Sequence, residues 1–226
     1  MTGGLSLFKE ASPDTLQKLR KYGKIQEFPK GSLIIRAKEP LEYIYIQTTG
    51  KSIVYNLTHT GKRKILFIFG HGALLNEHVL NEHNSATYCE TIEKSRIFMI
   101  PAGIFVCCME QDFALTRAVL AAQERKVWRL SHQLKNTMGS ICMERKLAAK
   151  LWKLARDFGV SIPEGIEINI NLSVTLLADM LGAPRETASR LCRALVDYGL
   201  IQMRGKRIII LSPQKISVFY RTGEIK

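Results

Sequence analysis

Two regimes of hydrophobic patterning divide the 226-residue chain. From Ile25 to Ile100, short β-branched and aromatic runs alternate with Gly, Pro and Asn at intervals of about ten residues. Residues 32–36, 43–47, 52–57, 64–69, 86–92 and 96–100 are predicted as strands, and their spacing suits an antiparallel sandwich or barrel. Gly31, Gly50, Gly61, Gly70 and Gly72 supply the turns, and His59-Thr60-Gly61-Lys62 reads as a hairpin tip. Ahead of the strands, residues 7–22 predict a helix capped by Ser12 or Asp14, with Leu16 and Leu19 inward. From Phe113 the period lengthens and residues 113–135 predict the longest helix. On it Leu120, Val127, Leu130 and Leu134 form an apolar stripe, with Val119, Ala122 and Trp128 beside it. Arg117, Arg125, Arg129 and Lys135 are expected to keep the other faces in water. A long helix beside a small barrel leaves such a stripe uncovered, and packing against its own copy about a two-fold axis would bury it. A further helix is predicted over 144–158, then a loop over 157–167 and a short strand over 167–170.

The pattern over residues 172–211 is more specific. Ser173 stands as an N-cap before Leu176, Leu177, Met180 and Leu181, and Gly182 can take the left-handed conformation that stops a helix and turns the chain. Pro184 sits where a second helix can begin without losing a needed hydrogen bond. In that helix Ala188, Leu191 and Leu195 recur inward, which places Arg185, Glu186, Ser189 and Arg190 together on the outer face. Gly199 ends it, and a hairpin follows around Arg204-Gly205-Lys206. Helix, tight turn, helix and basic hairpin make a winged helix-turn-helix. Two guanidiniums, a carboxylate and a hydroxyl on one helix edge can read base edges in a major groove. The plainer alternative is a solvated charged face.

Composition changes this picture only a little. With 46% hydrophobic and 23% charged residues the chain is of ordinary globular type, and its formal net charge of +13 suits a polyanionic partner. The basic excess is spread along the chain and does not locate a site. A basic-then-apolar leader is missing from the first residues, and no apolar run approaches the ~20 residues that span a bilayer, so a cytoplasmic protein without membrane contact is expected. Five cysteines lack zinc-type spacing, and the adjacent Cys107 and Cys108 are expected to be buried thiols.

The segments Leu177-Ala178-Asp179-Met180-Leu181-Gly182, Arg185-Glu186-Thr187-Ala188-Ser189-Arg190 and Gly199-Leu200-Ile201 strongly resemble the DNA-binding domain of the Crp/Fnr transcription regulators. Arg145-Lys146-Leu147-Ala148 and Leu151 resemble its first helix. Phe28-Pro29-Lys30-Gly31, Tyr45-Ile46 up to Gly50, and Gly70-His71-Gly72 up to Glu77 are similar to the family's effector domain. The resemblance implies an α+β fold: an N-terminal double-stranded β-helix (jelly-roll) effector domain over 1–108, a dimerisation helix over 109–138, and a winged helix-turn-helix over 139–226. It implies a dimeric regulator, not an enzyme, that binds a palindromic TTGA/TGTGA-like site in double-stranded DNA under control of a small-molecule effector. If it activates, RNA polymerase is a further partner.

By the same resemblance Arg190 pairs with guanine, Glu186 accepts from cytosine, and Ser189 completes a Glu-x-x-Ser-Arg pattern of the Fnr branch. Arg185 departs towards the Crp branch. Thr187, Lys206 and Arg207 are expected on phosphate, with Ser173 also at the interface. In the effector domain, Asn76-Glu77 stands where cyclic-nucleotide binders carry Gly-Glu, and Asn84-Ser85 where they carry Arg-Ser. A cyclic phosphate needs a charge-assisted donor that Asn84 cannot supply, so an unidentified small ligand near Gly72, Asn76, Glu77, Asn84 and Ser85 is expected in place of cyclic AMP. Residues 1–88 contain no cysteine, which argues against the iron–sulfur cluster of the oxygen-sensing branch. His59, His71, His78 and His83 could serve haem or a metal, but solvated turn histidines are expected, with neither cofactor. A cupin-type enzyme would need HxH…E…H spacing, which is missing. A non-DNA-binding adaptor would have no use for exposed Arg185 and Arg190. Effector control is expected to act through a hinge between Lys135 and Ile141.

Overall fold

The computed structural model describes residues 5–80, 84–135 and 142–225. The chain divides into two compact units, residues 1–132 and 133–226.

In the first unit a single 3-10 turn, Ser6–Phe8, precedes α1, Pro13–Tyr22. The helix is shorter than the 7–22 expected because Ser12 caps it, its Oγ accepting from the Thr15 amide at 3.2 Å, with Pro13 at the first helical position. Among the described residues seven strands follow: β1 Lys24–Phe28, β2 Leu33–Ile35, β3 Tyr43–Thr49, β4 Ser52–Leu57, β5 Arg63–Phe69, β6 Tyr88–Thr91 and β7 Ser95–Pro101. They form two antiparallel sheets, ordered β1-β7-β3 and β2-β6-β4-β5. β1 was not expected from sequence, since Lys24, Gln26 and Glu27 make it a polar strand on a sheet edge.

Strand alternation separates two cores. Tyr43, Tyr45, Ile97 and Met99 turn towards the other sheet, where Val54, Phe67, Phe69 and Cys89 close the roll interior. Ile44, Ile46, Phe98 and Ile100 turn the other way, against Leu19, Phe105, Leu115 and Val119. The last three come from α2, Ala102–Gln111, and α3, Phe113–Lys135. The sequence hides α2 because its run Ile104–Cys108 is apolar almost all round, without amphipathic contrast. Cys107 and Cys108 were both expected inside. Only Cys108 is buried, and Cys107 is exposed, because consecutive helical residues point about 100° apart.

The second unit opens with α4, Met143–Phe158, whose buried face is Leu147, Ala148, Leu151, Leu154 and Ala155. The expected loop after it is a hairpin of β8, Gly159–Ile162, and β9, Gly165–Ile168. Gly165 makes that hairpin possible: its φ of +145° lies outside L-residue space, and a Cβ there would meet Ile210 O at 2.1 Å. α5 Val174–Leu181, α6 Arg185–Asp197, β10 Ile201–Arg204, β11 Arg207–Ile210 and α7 Pro213–Thr222 complete the unit. Its sheet runs β10-β11-β9-β8, so the expected two-stranded wing is half of a four-stranded sheet. Arg145 Nε donates to Tyr220 O at 3.2 Å and its Nη2 to Arg221 O, holding the α7 C-terminus with a cation suited to that end of the dipole. Ser173 caps α5 by accepting from the Leu176 amide at 3.1 Å. Ser173→Ala is therefore expected to destabilise this unit by about 1 kcal/mol, measurable as a lower urea midpoint.

Candidate nucleic-acid interface and effector pocket

The second unit presents a preformed helix edge. Gly182, at φ 70° and ψ 38°, reverses the chain between α5 and α6. The inner face of α6 is Ala188, Leu191, Cys192 and Leu195, all buried. Arg185, Glu186 and Arg190 are exposed on its outer face, with Thr187 and Ser189 half-buried at its margins. The side chains of Arg185, Glu186 and Arg190 make no hydrogen bond or ion pair with any described residue. Glu186 and Arg190, four apart, could have paired with each other and do not. Three charged groups thus stand ready for an outside partner on the first half of one helix.

The wing is placed by the backbone. Arg204 pairs with Arg207 across a two-residue turn, Gly205-Lys206, with Gly205 at φ +60° as such turns require. The Leu172 amide donates to Lys206 O at 2.7 Å, which fixes the exposed Lys206 beside the capped start of α5 at Ser173. Arg204 is spent within the protein: its Nη2 donates to Glu164 Oε1 at 2.8 Å, and that bond holds the Glu164 carboxyl below its usual range. Arg207 Nη1 donates to Asn169 Oδ1 at 2.6 Å, leaving part of its fork for phosphate.

In the first unit, the expected pocket residues divide. After β5 the chain turns at Gly72 and runs along β3. The Gly72 amide donates to Gln47 O at 2.8 Å, the Gln47 amide to Ala73 O at 2.9 Å, and the Leu75 amide to Tyr45 O at 2.9 Å. The Asn76 side chain extends this ladder as if it were a peptide. Its Oδ1 accepts from the Tyr45 amide at 2.7 Å and its Nδ2 donates to Tyr43 O at 2.9 Å, with the residue wholly buried. Gly72 thus joins the β3 ladder through its amide and Asn76 through both ends of its side chain. Glu77 Oε1 accepts from Ser85 Oγ at 3.1 Å and from the Ala86 amide. Ser85 is only 2% exposed, and its Oγ also lies 2.8 Å from Thr87 O, so its one hydroxyl proton is shared between the two acceptors. Ser85 is thus occupied by its own loop, while Asn84 is exposed.

Two residues of α3 enter this site unannounced by the sequence. Lys126 Nζ donates to Asn76 O at 2.5 Å and lies 5.5 Å from the Phe69 ring centre. Gln123 Nε2 reaches the same carbonyl at 3.4 Å. Burial pushes the Lys126 ammonium down to about 8, with Cys89 and Glu77 opposing, and burial pushes the Cys89 thiol up to about 12. Arg129, expected in water, lies 5.3 Å from the Phe67 ring centre. The signal was present in the spacing, since Gln123, Lys126 and Arg129 fall three apart on one face, but nothing in the sequence says that this face meets aromatic rings.

His59 is exposed, and the exposed His71 donates from Nδ1 to Thr48 O at 2.6 Å. His83 and the expected hinge at 136–141 lie outside the described residues. Among the described residues, no three His, Cys, Asp or Glu side chains group so as to hold a metal, and no helix is long and apolar enough to cross a membrane.

A sheet roll closed by a long helix, followed by a winged helix whose exposed charged edge has no partner among the described residues, defines a sensor joined to a DNA-binding regulator. Comparison with known proteins agrees. Residues 25–112 match the family model for the cyclic nucleotide-binding domain, and residues 145–217 match that for the Crp-like helix-turn-helix domain. The chain is 25% identical over 219 residues to the probable transcriptional regulator flp of Lacticaseibacillus casei, covering 96% of this chain and 97% of that protein. It is 22% identical over 196 residues to the global nitrogen regulator of Synechococcus elongatus, covering 85% and 88%. The structure of FixK2 from Bradyrhizobium japonicum has the same fold, with TM-score 0.75 at 20% identity, covering 86% of this chain and 96% of that one. The chain belongs to the Crp/Fnr family of transcription regulators.

Proposed function

We propose that the chain acts as a homodimer that binds a palindromic TTGA/TGTGA-like DNA site and is controlled by a small-molecule effector in its first unit. The observation that carries this reading is the α6 edge, where Arg185, Glu186 and Arg190 are exposed and have no partner among the described residues. Each α6 enters one major groove, with half-sites about one helical turn apart. Arg190 takes guanine O6 and N7, Glu186 accepts from cytosine N4, and Ser189 and Arg185 set the outer bases. Thr187, Ser173, Lys206 and the free part of Arg207 hold phosphate. No catalytic step enters this reading, and RNA polymerase is the further partner if the bound regulator activates.

The dimer is supported by α3. Phe113, Leu120, Val127 and Leu134 repeat every seven residues and are 76%, 51%, 63% and 62% exposed, with Leu130 between the last two. A seven-residue apolar repeat is the seam of a two-stranded coil. Val119, expected beside the stripe, is buried against its own unit instead. Val127→Glu should yield a monomer by analytical ultracentrifugation. In a gel shift, its affinity for a TTGA palindrome should fall by on the order of a hundredfold, because the two half-sites no longer act together. A Val127→Glu protein that stays dimeric and binds as before would remove the helix from this role.

The effector is read as a ligand other than cyclic AMP, supported by Ser85 being hydrogen-bonded within its own loop and by Asn84 bringing no charge. Neither haem nor an iron–sulfur cluster is part of the proposal.

A further inference from the structure

Lys126 and its surroundings do something that DNA reading leaves unexplained. An ammonium carries three donors. Among the described residues Lys126 uses one, to Asn76 O at 2.5 Å, and Gln123 already reaches that carbonyl, so holding it does not require a charge. Its other donors have no partner there, and the head sits against Phe69 with the apolar roll interior behind. A second buried group nearby is also unmet. His78 Nε2 is sealed from solvent without a hydrogen bond, 4.0 Å from Glu77 Oε1. Glu77 is the neighbour common to both, and its own Oε1 is taken by Ser85 and Ala86. Unmet polar groups on Lys126 and His78, next to the aromatic side chains of the roll, point to an acceptor that is not part of the chain.

We propose that the first unit binds a small monocarboxylic acid with a flat apolar or aromatic body, its carboxylate on Lys126 Nζ and His78 Nε2 and its body against Phe67, Phe69 and Tyr45. The assignment rests on reading this unit as the effector domain. Two carboxylate oxygens match the spare Lys126 donors and one donor from the Nε2–H tautomer of His78. Phe67 and Phe69 stack at 5.2 Å on one face of β5, and Tyr45 projects into the same interior. A doubly charged phosphate is disfavoured by the adjacent Glu77, which leaves a single negative charge as the better match.

The test uses the full chain and three probes, benzoate, phenylacetate and 3-phenylpropanoate, each beside its neutral amide, in calorimetry and thermal shift. At least one acid should bind and its amide should not. Lys126→Met should weaken the acid by about tenfold or more. Acid binding should also fade as pH rises through about 8, where Lys126, faced by Glu77 and by the Cys89 thiol of β6, loses its charge. Amides binding as well as acids, an unchanged Lys126→Met protein, or no binding by any of the acids would each overturn the proposal. A parallel arm measures DNA affinity. If an acid binds through Lys126 but leaves DNA affinity unchanged, the site stands and the effector reading falls. If cyclic AMP tightens DNA binding and no acid binds, control by a small ligand stands, while this ligand class and the reading against cyclic AMP both fall.

Discussion

Replacing Arg190 by alanine should erase the distinction between a cognate palindrome and random duplex while leaving salt-sensitive binding to both. The reason lies in what the side chain is free to do. Arg190 is exposed on the outer face of α6, has no partner among the described residues, and stands one turn from the helix start, where side chains of a docked helix reach base edges. A bidentate pair with guanine discriminates by about 1–3 kcal/mol per half-site, and a dimer carries two. The phosphate contacts proposed for Lys206 and Thr187 survive the change, so random-sequence affinity and its steep salt dependence should persist. Lys206→Ala makes the converse case: affinity should fall alike on all sequences, with a shallower salt slope. Competition gel shifts at several salt concentrations separate the two. Equal loss on specific and random duplexes for Arg190→Ala would remove it from base reading.

Lys126→Met should make the ligand-free protein more stable, by about 1–2 kcal/mol after discounting for the partly exposed stem. Burial lowers the Lys126 ammonium from its ordinary 10.5 to about 8 in the folded chain. A lysine whose folded value is depressed binds fewer protons folded than unfolded between those limits. Its penalty is therefore fully present below about pH 8 and relieved as pH rises towards 10.5. Wild-type stability should gain on Lys126→Met across that window, and the two should converge at its upper end. Methionine fills similar volume and suits the Phe69 face, so packing loss is small, and Asn76 O keeps Gln123. Urea melts at pH 7 and pH 10 measure this. A Lys126→Met protein less stable at both values would show that the lysine serves the fold and not a ligand.

The two halves of the site were unequally legible for a physical reason. Ser173, Gly182 and Arg185 to Arg190 act locally: a cap, a left-handed turn and one helix face follow from spacing along a few residues, and the structure places them as the pattern predicts. The wing followed likewise from Gly205, although β8 and β9 beside it did not, since their pairing depends on Gly165 approaching Ile210 across the sheet. The effector side depends on contacts between distant segments. Asn76 was singled out because it stands where cyclic-nucleotide binders carry glycine, and nothing along the sequence says that its amide completes the β3 ladder. Lys126 and Arg129 looked like solvated charges on a helix, because only the folded roll brings Phe67 and Phe69 beneath them. The strand β1 and the uniformly apolar α2 escaped because neither carries the alternation by which such elements are recognised.

Selection of random duplex DNA by the purified full chain, followed by sequencing, tests the central claim most directly. An enriched two-fold-symmetric TTGA- or TGTGA-like sequence, with half-sites about one helical turn apart, is the predicted result, and its outer bases would show how Arg185 and Ser189 share the reading. Selection repeated with added cell extract covers a requirement for the effector. A pool that stays random in both would contradict the account, because a free arginine–glutamate edge on α6 would then be a solvated face and not a reader of DNA.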